Sequence, residues 1–218
     1  MAGEAAVKLQ RFTWDDYRTW DDVSRCELIG GEAFDMSPAP SPRHQSVLGE
    51  LYAQFLAFLR DKPCRVFVAP VDVKLSEEDV VQPDLLVVCE REKIRPTHVE
   101  GAPTLVVEIL SLRTAMFDRV YKLRLYAEVG VKEVWLVMPF PPCVEVFSLA
   151  HGRYVLDGTY SMDDVLASPA FPDLRLDLAA VFDFPLETEE ERETLKESRP
   201  PYGRRKEVPT DLGPTKTQ

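Results

Sequence analysis

Two short apolar stretches with one acidic residue each decide the fold of this chain: Gln82-Pro83-Asp84-Leu85-Leu86-Val87-Val88 and Val106-Val107-Glu108-Ile109-Leu110-Ser111. Nearly continuous runs of Val, Leu and Ile are typical of central β-strands that are covered on both faces. A carboxylate that is buried in such a strand without a partner costs several kcal/mol. Asp84 and Glu108 are therefore expected on neighbouring strands, where a divalent cation between them would make their burial tolerable.

A lysine follows the second of these stretches. Lys122 lies in a segment that is predicted to be helical from Thr114 to Gly130, a typical residue for a helix end. A lysine near a bound cation suits a phosphate substrate. The combination predicts a metal-dependent phosphodiesterase, with an endonuclease as the leading class. The alternative for Lys122 is an exposed ion pair with Asp118, four residues earlier, which contributes about 0.3–0.5 kcal/mol.

Length and composition fit one domain with a tail. The chain has 218 residues, 45% of them hydrophobic, which is enough for a full core. We expect residues 1–184 to form that domain, and we expect the charged, Pro-containing residues 185–218 to be largely disordered. The net charge of −11 disfavours a nucleic-acid binder, although a local basic patch can act against an acidic total.

Cysteine spacing and hydropathy indicate the cellular environment. The cysteines Cys26, Cys64, Cys89 and Cys143 lack C-x-x-C spacing, which predicts reduced thiols and neither a zinc site nor a disulfide framework. No signal-peptide pattern precedes the domain, and no apolar run approaches the ~20 residues that span a bilayer. We therefore expect a cytoplasmic protein with no membrane partner.

The pattern of apolar residues and turn residues predicts a single α/β domain with a mixed sheet. Gly30-Gly31 is typical of a β-hairpin turn. Helices are predicted after Thr13, from Ser41 to about Arg60, at 114–130 and at 177–182. Strands are predicted at the following ranges: 26–29, 33–36, 65–69, 71–75, 84–89, 104–110, 133–137, 144–148 and 153–156.

Six stretches, taken in order and spacing, resemble a known family: Cys26–Glu32, Met36–His44, Val68–Leu75, Val81–Cys89, Val106–Ser111 and Asp118–Val131. The family is a bacterial group described as restriction endonucleases, formerly a domain of unknown function, in the PD-(D/E)XK nuclease superfamily. The resemblance spans roughly 12–149. It implies a restriction-endonuclease-like core, with a central mixed β-sheet flanked by helices.

The resemblance also implies roles for particular residues. Asp84 and Glu108 would be ligands of Mg²⁺ or Mn²⁺, with the carbonyl of Ile109 as a further ligand. The lysine that usually stands two residues after the second acid is replaced here by Leu110, and similar proteins carry it on the following helix, where this chain has Lys122. Glu27 is a further candidate catalytic acid, with a structural role as the alternative.

Three more residues are candidate substrate contacts: Lys74, His44 and Gln82. Asp72-Val73-Lys74 matches the literal acid-x-Lys pattern, but no Pro-Asp pair lies at a suitable distance before it. We therefore interpret it as a supporting strand whose lysine could contact phosphate. His44 stands near a helix start, where a surface or capping role is the alternative.

The leading hypothesis is a Mg²⁺-dependent endonuclease that acts on DNA. A homodimer is expected by analogy, because a duplex has two strands to cut. One alternative keeps the fold and changes the substrate to RNA or a structured nucleic acid. Another is a catalytically silent binding or assembly module.

Overall fold

The structure is a computed structural model that describes residues 11–20, 25–36, 39–111 and 115–185. The chain separates into two units, Met1–Phe184 and Pro185–Gln218. The predicted tail lies outside the described residues apart from Pro185, and so does the predicted continuation of the first helix beyond Trp20.

The described part of the first unit contains short and long strands, five α-helices, one 3-10 helix (Arg91–Lys93) and one π-helix (Asp118–Lys122). The helices are α1 (Trp14–Tyr17), α2 (Pro42–Leu59), α3 (Ala115–Phe117), α4 (Leu123–Val129) and α5 (Leu178–Val181). The strands are β1 (Cys26–Ile29), β2 (Glu32–Asp35), β3 (Arg65–Val68), β4 (Val73–Lys74), β5 (Val80–Val81), β6 (Leu85–Val88), β7 (Val99–Glu100), β8 (Leu105–Ile109), β9 (Glu133–Pro139), β10 (Pro142–Ala150), β11 (Arg153–Tyr160), β12 (Val165–Leu166) and β13 (Leu176–Asp177).

The central element is a six-stranded mixed sheet with the order β11-β10-β9-β8-β6-β3. Strands β8 and β9 are parallel, and the other neighbours are antiparallel. Every residue of β6 and β8 is buried, as expected for strands covered on both faces. The mixed α/β architecture predicted from the sequence is confirmed.

Alternate residues of the central strands pack into two separate hydrophobic cores. Leu85, Val87, Leu105 and Val107 pack with α2 on one face, and Leu86, Val88 and Val106 pack with α4 on the other. Ser41 caps α2 by accepting a hydrogen bond from the backbone N–H of His44. None of the described helices is both long enough and apolar enough to cross a membrane.

A second sheet of five strands, in the order β2-β1-β5-β4-β7, was not predicted. It contains the predicted β1–β2 hairpin, whose turn residues Gly30 and Gly31 have φ values of 58° and 75°, a region that favours glycine. The segment Gln82–Asp84 leads directly from β5 in this sheet to β6 in the six-stranded sheet. The two sheets therefore meet at the first of the two stretches that the sequence singles out.

The helix predicted at 114–130 is interrupted. A π-helical segment, Asp118–Lys122, joins α3 to α4, and the backbone N–H of Leu123 donates to the carbonyl of Asp118. The helix ends at Gly130, where φ is 85°, as the sequence predicts.

The prediction that all four cysteines are reduced is wrong for Cys64 and Cys89, which form a disulfide. The antiparallel register pairs Arg65 with Val88, and one further step places the two cysteines opposite each other at the strand ends. Sequence spacing could not show this, because 25 residues separate them. Cys26 and Cys143 are free thiols.

A buried carboxylate ties the end of the domain to the central sheet. Glu133, at the start of β9 and 1% exposed, accepts hydrogen bonds from Trp135 Nε1, Ser168 Oγ and the backbone N–H of Ala170. Burial raises the pKa of Glu133, although these hydrogen bonds act in the opposite direction.

We predict that Glu133→Ala lowers the free energy of unfolding by about 3 kcal/mol, because it leaves buried donors without an acceptor. Denaturant unfolding of purified protein measures this loss. The control is Glu128→Ala, since Glu128 pairs with Arg124 at an exposed site and its removal should change stability little. Equal losses in the two variants would contradict this role for Glu133.

Candidate active site

The register of the central sheet brings Asp84 and Glu108 together. Strands β6 and β8 are antiparallel and pair Leu85 with Val107, so Asp84 and Glu108 form the next pair of that register. Directly opposite residues point to the same face of a sheet. Asp84 Oδ2 also accepts a hydrogen bond of 2.7 Å from the backbone N–H of Ile109.

Lys122 lies at the centre of a buried group of carboxylates. Its Nζ is 3.0 Å from Glu27 Oε1, 3.2 Å from Glu108 Oε1 and 3.6 Å from Asp118 Oδ1. The side chains of all four residues are at most 6% exposed. The alternative of an exposed Asp118–Lys122 pair is therefore wrong, and we call these four residues the lysine cluster.

Asp118 and Lys122 lie four residues apart in the π-helical segment, and residues at this spacing share one face of a helix. Tyr126 continues this spacing on α4, and its hydroxyl donates a 2.5 Å hydrogen bond to Glu108 Oε1. Sequence analysis missed Tyr126, although the repeat of four from Asp118 through Lys122 to Tyr126 was a usable signal.

The lysine cluster contains more carboxylates than cations. Burial alone lowers the pKa of Lys122, but the adjacent carboxylates of Glu108, Glu27 and Asp118 outweigh it and hold that pKa well above its ordinary value. Burial raises the pKa of Glu108; Lys122 opposes this, while Asp118, Asp84 and Glu27 reinforce it. One lysine therefore faces more negative charge than it can neutralise, and the site favours a further cation or proton.

His44 reaches the same site from α2. Its Nε2 lies 3.2 Å from Asp84 Oδ2, and its Nδ1 is buried with no hydrogen-bond partner among the residues that the structure describes. The backbone N–H of His44 takes part in the helix cap, so capping uses its main chain while its ring contacts Asp84.

Gln82 contacts the lysine cluster through its backbone and lines a separate cleft with its side chain. Its backbone N–H donates to Glu27 Oε1 at 2.8 Å, while its side chain donates to Asp72 Oδ1 and accepts from Arg25. The side chain faces a cleft of about 730 Å³ that Trp14 also lines.

No contact among the described residues joins Lys74 to the lysine cluster. Its Nζ is 2.6 Å from Glu77 Oε1 and 3.9 Å from Glu100 Oε1. The strand β4 that carries it belongs to the five-stranded sheet, as a supporting strand would. Its proposed phosphate contact stays a prediction.

The carboxylates fit a magnesium ion with few protein ligands. No three His, Cys, Asp or Glu side chains are arranged for a metal within the described ranges, but Mg²⁺ commonly uses one or two carboxylates and completes its shell with water and phosphate oxygens. The described contacts of Asp84 use Oδ2 and those of Glu108 use Oε1. The second oxygen of each carboxylate is thus without a hydrogen-bond donor among the described residues.

Comparison with known proteins identifies relatives of the chain. The family model of Uma2, described as "Putative restriction endonuclease", matches residues 14–179. An uncharacterized protein of Synechocystis sp., slr1290, is 26% identical over 141 residues, which cover 63% of this chain and 74% of that protein. The crystal structure of a "putative nuclease belonging to DUF820" from Anabaena variabilis has a TM-score of 0.65 and 18% identity, and the match covers 78% of this chain and 97% of that one.

We predict that Tyr126→Phe destabilises the metal-free protein by about 2 kcal/mol, because the buried carboxylate of Glu108 loses a charge-assisted hydrogen bond. Thermal and denaturant unfolding in EDTA measure the loss. Tyr121→Phe removes the same hydroxyl from a residue that is 55% exposed and should leave stability unchanged. A Tyr126→Phe variant as stable as Tyr121→Phe would refute the contact.

Proposed function

Because this chain belongs to the Uma2 family of putative restriction endonucleases, we propose that it is a Mg²⁺-dependent endonuclease that hydrolyses phosphodiester bonds in DNA. The observation that carries the proposal is the cross-strand pair of Asp84 and Glu108 beside the buried Lys122. Mn²⁺ would serve as an alternative metal, since it prefers the same oxygen ligands.

The residues of the site have distinct roles in this proposal. Asp84 and Glu108 would hold the metal through their second oxygens. The bound metal would supply a water of lowered pKa and polarise a phosphoryl oxygen. Tyr126 fixes the orientation of Glu108, and the backbone N–H of Ile109 fixes that of Asp84. Such fixed ligands lose little freedom when the metal binds.

Lys122 contacts carboxylates, and these contacts indicate its role. Its ammonium group holds Glu27 and Glu108 within hydrogen-bond distance and offsets part of their charge. We propose that it positions the metal ligands. Direct contact of its Nζ with a substrate phosphate, which the sequence suggests, stays a prediction.

A second candidate function is a silent binding or assembly module. The observation that favours it is the lysine cluster itself, because Lys122 already supplies a cationic partner to Glu27 and Glu108 without a metal. The excess of negative charge at the site favours the enzyme. The choice of DNA over RNA follows the description of the family as restriction endonucleases, while the homodimer and the cytoplasmic location stay predictions.

Metal binding separates the two candidates. We predict that Mg²⁺ or Mn²⁺ raises the thermal stability of the wild type, by about 2.7 kcal/mol at roughly one hundred times the dissociation constant. Asp84→Asn should abolish both this stabilisation and the cleavage of plasmid DNA, because the metal loses a charged ligand. The matched control is Asp61→Asn at an exposed position after α2, which should retain both.

Two outcomes would contradict this assignment. If Asp84→Asn keeps the metal-induced stabilisation, Asp84 is not a ligand. If the wild type shows neither metal stabilisation nor cleavage of single-stranded DNA, duplex DNA or RNA, the silent module is the better account.

A further inference from the structure

Three aromatic side chains lie beside the lysine cluster and have no role in the proposed chemistry. Phe34 on β2 is the cross-strand partner of Glu27, while Phe117 and Tyr121 directly precede Asp118 and Lys122 in the chain. The ring centroids of Phe34 and Phe117 are 4.9 Å apart, and those of Phe117 and Tyr121 are 5.3 Å apart. We call these residues the aromatic row.

The aromatic row does not belong to the hydrophobic core. None of its three residues is a member of the two core clusters or of the partly buried side chains that pack on them. Tyr121 is 55% exposed, and its neighbour Val120 is 51% exposed. Phe34 and Phe117 are half-buried, so the row presents one exposed ring and two partly exposed rings next to a polar site, where apolar groups that lie together often form a binding surface.

The charges near the aromatic row indicate which class of ligand it binds. The two cations of the π-helical segment are both paired with carboxylates, since Arg119 contacts Glu145 at 2.7 Å and Lys122 contacts the lysine cluster. The whole chain carries a net charge of −11. Neither cation is therefore free to neutralise a phosphate, which is the contact that dominates the binding of intact duplexes.

Stacking on aromatic rings is the other main source of affinity for nucleic acids. Each stacked base contributes substantially, and every base offers a π-face irrespective of sequence. In a base-paired duplex these faces are covered by neighbouring bases, so a stacking surface selects unpaired nucleotides. Phe34 shares its sheet face with Glu27, so bases stacked on this row would lie beside the proposed metal ligands.

We propose that the aromatic row is a base-stacking platform, and that the substrate is DNA with unpaired nucleotides next to the bond that is cut. This rests on the proposed function, because it assigns the substrate class of the same site. The row would hold the flanking bases while the carboxylates of Asp84 and Glu108 face the backbone.

The test is binding, which is separate from cleavage. Fluorescence anisotropy with Ca²⁺ in place of Mg²⁺ would compare a labelled oligothymidylate with a duplex of equal length. We expect the wild type to bind the single strand at least about tenfold more tightly than the duplex. Tyr121→Ala and Phe34→Ala should each weaken single-strand binding about tenfold, whereas Tyr121→Phe keeps the ring and should bind like the wild type.

The control is Leu156→Ala on β11, which removes a side chain from a residue that is 49% exposed and far along the sheet order from β8. It should not change binding, and thermal melting verifies that every variant is folded. Equal affinity for both strands forms, or wild-type affinity in Tyr121→Ala and Phe34→Ala, would overturn the platform. A change of solution mass in Tyr121→Ala without a change in DNA binding would instead make the row a contact between copies of this chain.

Failure of the platform and failure of the proposed function give different results. Suppose that the wild type cleaves DNA with Mn²⁺ and that the Tyr121→Ala variant binds and cleaves single strands equally well. The protein is then a nuclease, and the aromatic row is not a stacking platform. If the wild type binds single strands through Tyr121 but cleaves nothing, the aromatic row is a stacking surface for unpaired DNA and the protein is not a nuclease. The bound DNA would then be a ligand and not a substrate.

Discussion

The burial of one ammonium group among carboxylates governs the arrangement of this molecule. Placing Lys122 in the interior is costly, and the attraction of Glu27, Glu108 and Asp118 offsets that cost only when the geometry is close. These partners come from β1, from β8 and from the π-helical segment. The same contacts that stabilise the charge therefore fix the five-stranded sheet, the six-stranded sheet and the interrupted helix at one place.

The segment Gln82–Asp84 brings the residues of the candidate site together where the two sheets meet. It carries the chain from one sheet to the other, so the backbone N–H of Gln82 contacts Glu27 while Asp84 falls opposite Glu108. The proposed metal ligands and the lysine cluster are consequently joined through Glu108, which belongs to both. Unneutralised negative charge at this junction is what a divalent cation would relieve.

Some of this was accessible from the sequence because it depends on local rules. Acidic residues inside apolar strands indicated Asp84 and Glu108, and the glycine pair indicated the β1–β2 hairpin. Long-range placement was not accessible. The five-stranded sheet rests on pairs such as β4 with β7, which are only two residues long, and the disulfide of Cys64 with Cys89 follows from strand register. Tyr126 was missed although its spacing from Lys122 was a usable signal. The burial of Asp118 and Lys122 was not predicted, because the carboxylates of Glu27 and Glu108 that contact Lys122 lie on strands distant in the chain.

The central claim is that Asp84 and Glu108 form one metal site beside the lysine cluster. Anomalous diffraction from a crystal of the wild type with bound Mn²⁺ tests it most directly. The account predicts a peak about 2.1 Å from one oxygen of Asp84 and one oxygen of Glu108, with Lys122 still in contact with Glu27. A peak elsewhere on the chain, or no peak at saturating Mn²⁺, would contradict it.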